Sequence, residues 1–440
     1  MKALAARLRA RPAMQRIVAN IGWLLADKVL KASVQLVMSV WLARYLGPAG
    51  FGHYSYVLAF VAMFGGLASL GLPQIGVREL VREPAARTEI LGTAGALLFC
   101  GALAAGGLAS IAIGVVRADD EAARLAVAVA SGTLLFQASA VVRYWFDSQV
   151  AARHVLVAEA AALLAGAALK VALILNGAPV GAFFWAALAE SALLAVALLV
   201  AYARRMGDLW LWRARTARAR RLMAGAWPLA LAGAILMVQA RVDQFMLAEL
   251  ADERELGYYS VALRVAEGLV FFSLILQSTL YPLLVEARKA SWDAFHTRLM
   301  SFYRASFLAA LLVCVPVVVF APWIVHTLFG AAYEPAGPLL AWMAGRVMLA
   351  FLGVARSVFL LIENQQAWAT LTLTVGTVLN VLLNWAWIPE HRATGAVWAS
   401  LVSFTVTIFV LDLFRPLTRR NVLDIGRSAL TCLRIRELAR

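Results

Sequence analysis

Charge is scarce in this 440-residue chain, where only 15% of residues are Asp, Glu, Lys or Arg against 63% hydrophobic. That excludes a disordered, solvating protein and leaves more apolar surface than a water-soluble core can hide. Cysteine is rarer still. Cys100, Cys314 and Cys432 are far apart and form no CxxC spacing, which argues against a disulfide frame and a zinc site. The five histidines, at 53, 154, 296, 326 and 391, stand singly without an HExxH pattern, so no metal is expected. No GxxxxGK[ST] loop and no DxD cluster occurs, so neither a nucleotide nor any other cofactor is expected, and an enzyme is disfavoured.

What the chain has is long apolar runs. Windows of about 20 mostly apolar residues cross a hydrocarbon core of roughly 30 Å, and twelve are expected. They lie at 18–43, 54–77, 91–116, 122–146, 154–175, 180–203, 225–249, 256–284, 301–325, 335–361, 367–388 and 394–414. Lipid cannot satisfy free backbone groups, and the runs lack the period-two alternation of a membrane barrel. The expected fold is therefore all-α and integral to a membrane.

The formal charge of +15 would suit nucleic acid, but its distribution decides otherwise. Arg204, Arg205, Arg213, Arg215, Arg218, Arg220 and Arg221 crowd the loop between spans six and seven, whereas the next loop carries Glu249, Asp252, Glu253 and Glu255. This is the positive-inside pattern, which places both termini in the cytoplasm and needs no nucleic-acid partner. Residues 1–17 read as a retained basic tail. The segment 415–440 reads as a second basic tail, whose "VLDIGRSALTCLRIRELAR" forms an amphipathic helix suited to anionic headgroups.

The apolar runs are interrupted twice in the same way. "WLARYLGPAGFGHYSY" at 41–56 and "FMLAELADERELGYYS" at 245–260 align with an offset of 205, pairing Gly52 with Gly257, Tyr54 with Tyr259 and Ser55 with Ser260. Each falls between the first and second spans of its half. Two pseudo-symmetric six-helix bundles, 18–203 and 225–414, are expected around a central cavity, joined by the Arg-rich linker 204–224.

Ionisable groups inside spans cost roughly 2.5 to 3.5 kcal/mol each at the bilayer centre, so each needs a partner, water or a ligand. Asp27, Lys28 and Lys31 lie on span one; Arg241 and Asp243 on span seven; Arg264 and Glu267 on span eight; Arg346 and Arg356 on span ten. At about 1.5 Å per residue, Lys28, Arg241 and Arg264 reach similar depths, near mid-membrane. With Glu190, four carboxylates face six cations, Lys28, Lys31, Arg241, Arg264, Arg346 and Arg356. A surplus of cations suits an anionic ligand, and the planar guanidinium fork suits phosphate. The carboxylates Asp27, Glu190, Asp243 and Glu267 are candidates for ion coupling or charge pairing. In the alternative reading, Asp27 pairs with Lys31 and Glu267 with Arg264 as neutral glue, without a ligand. Lys170 and Glu159 lie near span ends and are expected to snorkel.

The stretch 20–80, beginning "NIGWLLADKVLKASVQLVMSVWLARYLGPAGFGHYSY", resembles the N-terminal signature of the polysaccharide transporters. These are the oligosaccharide flippases of the multidrug/oligosaccharidyl-lipid/polysaccharide exporter superfamily. "AWPLALAGAILMVQARVDQFMLAEL", "LGYYSVALRVAEG" and "YPLLVEARKA" are similar to its second-half signature. The resemblance implies translocation of an undecaprenyl-pyrophosphate-linked glycan across a bacterial inner membrane by alternating access. Membrane lipids, a polysaccharide polymerase and glycosyltransferases would be its partners. It places Asp27 and Lys28, Arg241 and Asp243, and Arg264 and Glu267 in family motifs; Lys31, Arg346 and Arg356 rest on depth alone. A proton- or sodium-coupled organic-cation antiporter of the same superfamily is the rival, and the cation surplus counts against it.

Overall fold

The computed structural model describes the backbone of residues 12–431 and the side chains of residues 28–431 other than Ala152. Most of the N-terminal tail, the side chain of Asp27 and the last nine residues, with Cys432, fall outside the described residues.

Thirteen α-helices and no strand occur among the described residues. They are α1 (Pro12–Ala68), α2 (Leu72–Arg82), α3 (Arg87–Val116), α4 (Glu121–Phe136), α5 (Val141–Ser148), α6 (Ala152–Leu175) and α7 (Val180–Met206), followed by α8 (Thr216–Leu250), α9 (Glu253–Ala290), α10 (Trp292–Phe329), α11 (Ala336–Ile362), α12 (Gln366–Thr405) and α13 (Pro416–Thr431). Side-chain caps start several of them: Asp120 accepts from the Ala123 amide at 2.9 Å, and Asp252 from the Glu255 amide at 2.8 Å.

Among the described residues ten helical stretches are long and apolar enough to cross a membrane. Two of these, Lys28–Arg82 and Gln366–Phe414, each contain two of the expected spans, because the chain turns inside them. In α1 the turn is Gly47, at φ 67° and ψ 176°, a conformation open only to glycine, followed by Pro48 at the start of the next helical run. In α12 it is Arg392, at φ 50° and ψ −132°. The remaining stretches match one span each, so about twelve crossings stand, and the protein is a multi-pass membrane protein.

The chain divides into two compact units: Met1–Met38 with Val57–Arg241, and Ser39–Tyr56 with Val242–Arg440. This division differs from the expected bundle boundaries, and residues 225–241 of the expected second bundle belong to the first unit. The Arg-rich linker packs within the first unit, and the first corner, 39–56, packs within the second.

Two sets of contacts explain the linker. Aromatic packing holds its start, where Trp145 and Trp212 each meet Tyr202 edge-on with ring centroids 5.3 Å apart. Ion pairs hold the rest. Arg218 is pinned between Glu83 at 2.7 Å and Glu89 at 3.0 Å, and Arg87 reaches Asp208 at 2.8 Å. A cluster of carboxylates therefore neutralises part of the linker's charge.

In the second unit the first corner is held by Arg44, which donates to the Leu328 carbonyl at 2.7 Å, and by Tyr333, which donates to the Ala43 carbonyl at 2.8 Å. His53 Nδ1 lies 3.0 Å from Glu253. Helix α13 docks on α10: Tyr303 donates to Asn421, His296 sits 3.0 Å from Asp424, and Ile425 joins the core of Phe295, Phe302 and Phe359. The expected headgroup-facing helix thus turns a largely polar stripe inward and leaves Arg419, Arg420 and Leu423 outside.

Candidate substrate-binding site

The second unit builds a polar cluster around Asp243, which is 3% exposed. Helix α8 supplies this carboxylate, α9 brings Tyr259, and α12 brings Asn384 and Ser400 from the two sides of its turn. Tyr259 donates to Oδ2 at 2.9 Å, Ser400 to the same oxygen at 2.5 Å, and Asn384 Nδ2 to Oδ1 at 2.8 Å. Asn384 also donates to Asn380 Oδ1 at 3.2 Å. A carboxylate with three such donors is a well-solvated charge in a dry place.

Arg346, from α11, balances that charge. Its Nη1 lies 4.0 Å from Asp243 and donates to the Tyr259 hydroxyl at 3.3 Å, while its guanidinium rests over the Phe404 ring at 5.4 Å. Tyr259, Asp243 and Glu267 are the groups whose charge or dipole acts on it. Nε and Nη2 of Arg346 have no hydrogen-bond partner among the described residues. Arg346 is therefore held at one edge with its remaining N–H groups unshared. Glu267 also lies 3.7 Å from Arg264 within α9, and both side chains are partly exposed, at 40% and 31%. This is the intrahelical pair of the alternative, ligand-free reading.

The other sequence-derived residues fall elsewhere. Arg356 is a correction: its Nε and Nη2 grip both oxygens of Asp412 at 2.6 and 2.7 Å, and Nη2 also donates to Thr372 at 3.0 Å. Asp412 is fully buried and takes a further bond from the Trp368 indole at 2.8 Å, so this fork is closed to a ligand. In the first unit Lys31 pairs with Glu159, which Arg143 also engages at 2.6 Å. Glu190 pairs with Lys170 at 2.6 Å. Glu159 and Lys170, expected to snorkel, each meet an opposite charge on a partly exposed partner within the unit. Lys28 is exposed and has no ion pair among the described residues, and Arg241 is partly buried at the end of the first unit.

Sequence reasoning overlooked Arg143, Tyr259, Asn380, Asn384, Ser400 and Asp412. A signal existed for the amides: "LNVLLN" puts Asn380 and Asn384 four apart, on one face of an otherwise apolar span. Among the described residues no group of three or more His, Cys, Asp or Glu side chains converges to hold a metal.

Solved structures share this fold at low sequence identity. An inward-facing multidrug resistance MATE family transporter of the MOP superfamily superposes with a TM-score of 0.66 at 14% identity, covering 91% of this chain and 96% of that one. The lipid II flippase MurJ, inward closed, gives 0.68 at 10% identity over 94% of this chain and 91% of its own. A MOP superfamily transporter from Pyrococcus furiosus gives 0.62 at 15% identity over 95% and 98%. Among curated proteins, none matches the chain. The fold is that of a MOP superfamily transporter. The family model described as "Polysaccharide biosynthesis protein" matches residues 17–288, more than half of the sequence, and the chain belongs to that family.

Proposed function

We propose that the protein translocates a polyprenyl-pyrophosphate-linked oligosaccharide across a bacterial inner membrane by alternating access, in polysaccharide biosynthesis. Family membership supports the biosynthetic setting. The observation that carries the ligand class is Arg346, a guanidinium held from one edge by Tyr259 and Asp243 with its other donors unshared. A diphosphate offers oxygens to such a fork and to the partly exposed Arg264. The buried carboxylate of Asp243 and the exposed one of Glu267 serve charge balance in this reading.

The rival, an organic-cation antiporter, draws on the MATE fold and a buried carboxylate. Asp243 is already faced by Arg346 at 4.0 Å, a poor welcome for a second cation. The test is reconstitution in liposomes with a fluorescent polyprenyl-pyrophosphate glycan, followed by quenching of the exposed leaflet. Arg346→Ala should lower translocation at least about tenfold, the cost of one charge-assisted contact of roughly 1.5 to 3 kcal/mol. Arg346→Lys should recover only part of it, since ammonium lacks the fork. Unchanged translocation by a well-folded Arg346→Ala protein, or uptake of cationic dyes in place of the glycan, overturns the proposal.

A further inference from the structure

The first unit carries two cavities that share two arginines and belong to no site described above. One, of about 680 Å³, is a groove between α6 and α7 floored by Val157, Ala158, Ala161, Ala197 and Val200, with Arg204 and Arg205 at one end. The small alanines hollow out the cleft, and Val157 and Val200 leave 57% and 40% of their surfaces uncovered. The other, of about 710 Å³, shares the same arginines and is lined by Arg87, Ser148 and Gln149 together with Leu80, Trp145 and Met206. An apolar trough therefore ends at cations, and a polar chamber shares them.

Arg204 has no partner among the described residues, and Arg205 makes only a long contact of 3.4 Å with His154. Arg153 stands at the same end of the groove. Beyond α7 the chain bears Trp210, 94% exposed, and Leu211, 58% exposed, apolar side chains beside a basic cluster. Tryptophan collects at the headgroup level of a bilayer, so this end of the unit lies at an interface, with the groove leading from it into the acyl region.

We infer that the ends of α6 and α7 form a binding site for an anionic phospholipid: the phosphate on Arg204 and Arg205, one acyl chain along the alanine groove, and a hydroxylated headgroup in the Ser148 and Gln149 chamber. Charge complementarity selects an anionic lipid over a zwitterionic one. The polar chamber favours phosphatidylglycerol, whose glycerol hydroxyls can share hydrogen bonds with Ser148 and Gln149.

Native mass spectrometry of the purified protein tests this, with lipid retention read after exchange against phosphatidylglycerol or phosphatidylcholine. The wild type should retain phosphatidylglycerol preferentially, and Arg204→Gln/Arg205→Gln should reduce that retention about thirtyfold, the effect of two interfacial arginines. Arg204→Lys/Arg205→Lys should keep most of it. Ala161→Phe fills the groove with every charge intact and should lose the lipid too. Arg419→Gln/Arg420→Gln removes the same charge from α13 and should change nothing. Equal retention of both lipids by the wild type, an equal loss in the α13 variant, or displacement of the lipid by millimolar inorganic phosphate would each refute the site.

Discussion

Gly52 faces the backbone of Glu253 so closely that a Cβ at Gly52 would fall 1.6 Å from the Glu253 carbonyl oxygen. The repeat supplies the reciprocal contact, since a Cβ at Gly257 would fall 2.0 Å from the carbonyl oxygen of Pro48. The offset that takes Gly52 to Gly257 also takes Pro48 to Glu253. Each corner thus lends a carbonyl to the other's glycine, which explains why the chain contains the corner twice. Ser55 and Ser260, 3% and 1% exposed, keep the following turn of each helix narrow.

Alanine at either glycine has no room, and the obstacle is backbone, which cannot swing aside. Gly52→Ala and Gly257→Ala should each destabilise the protein by at least about 1 to 3 kcal/mol, the usual range for overpacking. Gly107→Ala, in α3 with open space around it, should be close to neutral. Thermal unfolding in detergent distinguishes them. Equal midpoints for Gly52→Ala and Gly107→Ala would mean that the corners part readily.

The Arg356 and Asp412 pair makes a different claim, because both partners are buried and one alone is worse than neither. Asp412→Ala should cost about 3 to 5 kcal/mol by stranding a guanidinium, whereas Arg356→Met/Asp412→Leu should recover most of that loss. The double variant should still translocate substrate, since this arginine has no donor fork left to offer. Loss of transport in a stable double variant would return Arg356 to the ligand site.

Linear patterning made the helices readable and left the pairings hidden. Twelve apolar runs follow from composition alone, and a glycine-proline step or a charged break marks where they turn. Which charge meets which is set by helices folded back on one another: Lys31 finds Glu159 across 128 residues, and Arg356 finds Asp412 across 56. Depth along a span puts Arg346 among the candidates, yet it puts Arg356 there too, because depth says nothing of the direction a side chain takes around its helix. Nothing in the linear pattern ties Tyr259 or Ser400 to a charge, and only their bonds to Asp243 reveal their part.

The clamp on the Arg-rich linker has a pH signature. The Arg218 hydrogen bond, Nη2 to Oε2 at 2.7 Å, holds the Glu83 carboxyl below its ordinary range against an opposing effect of desolvation, and the charges of Arg218, Arg221 and Arg82 add to the depression. A carboxylate with a depressed folded-state pKa contributes fully above its unfolded value of about 4.3, and the contribution fades as pH falls through the lower folded value. The midpoint difference between wild type and Glu83→Gln should therefore be flat above about pH 5 and shrink below about pH 4. A difference that grows on acidification would place the stabilising charge elsewhere.

Asp243 accepts three hydrogen bonds, and that arrangement separates two substitutions of similar size. Asp243→Asn retains one carbonyl oxygen for three donors and turns an amide N–H toward the donors that remain, so at least one buried hydroxyl or amide goes unmatched. It should cost about 2 to 4 kcal/mol and leave Arg346 without a counter-charge, with translocation falling further than stability does. Tyr259→Phe removes a single donor to Oδ2 and the rest that Arg346 Nη1 makes on the hydroxyl, for about 0.5 to 1.5 kcal/mol. Because Ser400 and Asn384 still hold the carboxylate, Tyr259→Phe should translocate at a reduced rate with an ordinary midpoint. Paired unfolding and translocation measurements on the two variants decide the matter: if both track stability alone, the cluster is scaffolding, and if Asp243→Asn abolishes transport at a temperature where it remains folded, the carboxylate sets the guanidinium in place for its ligand.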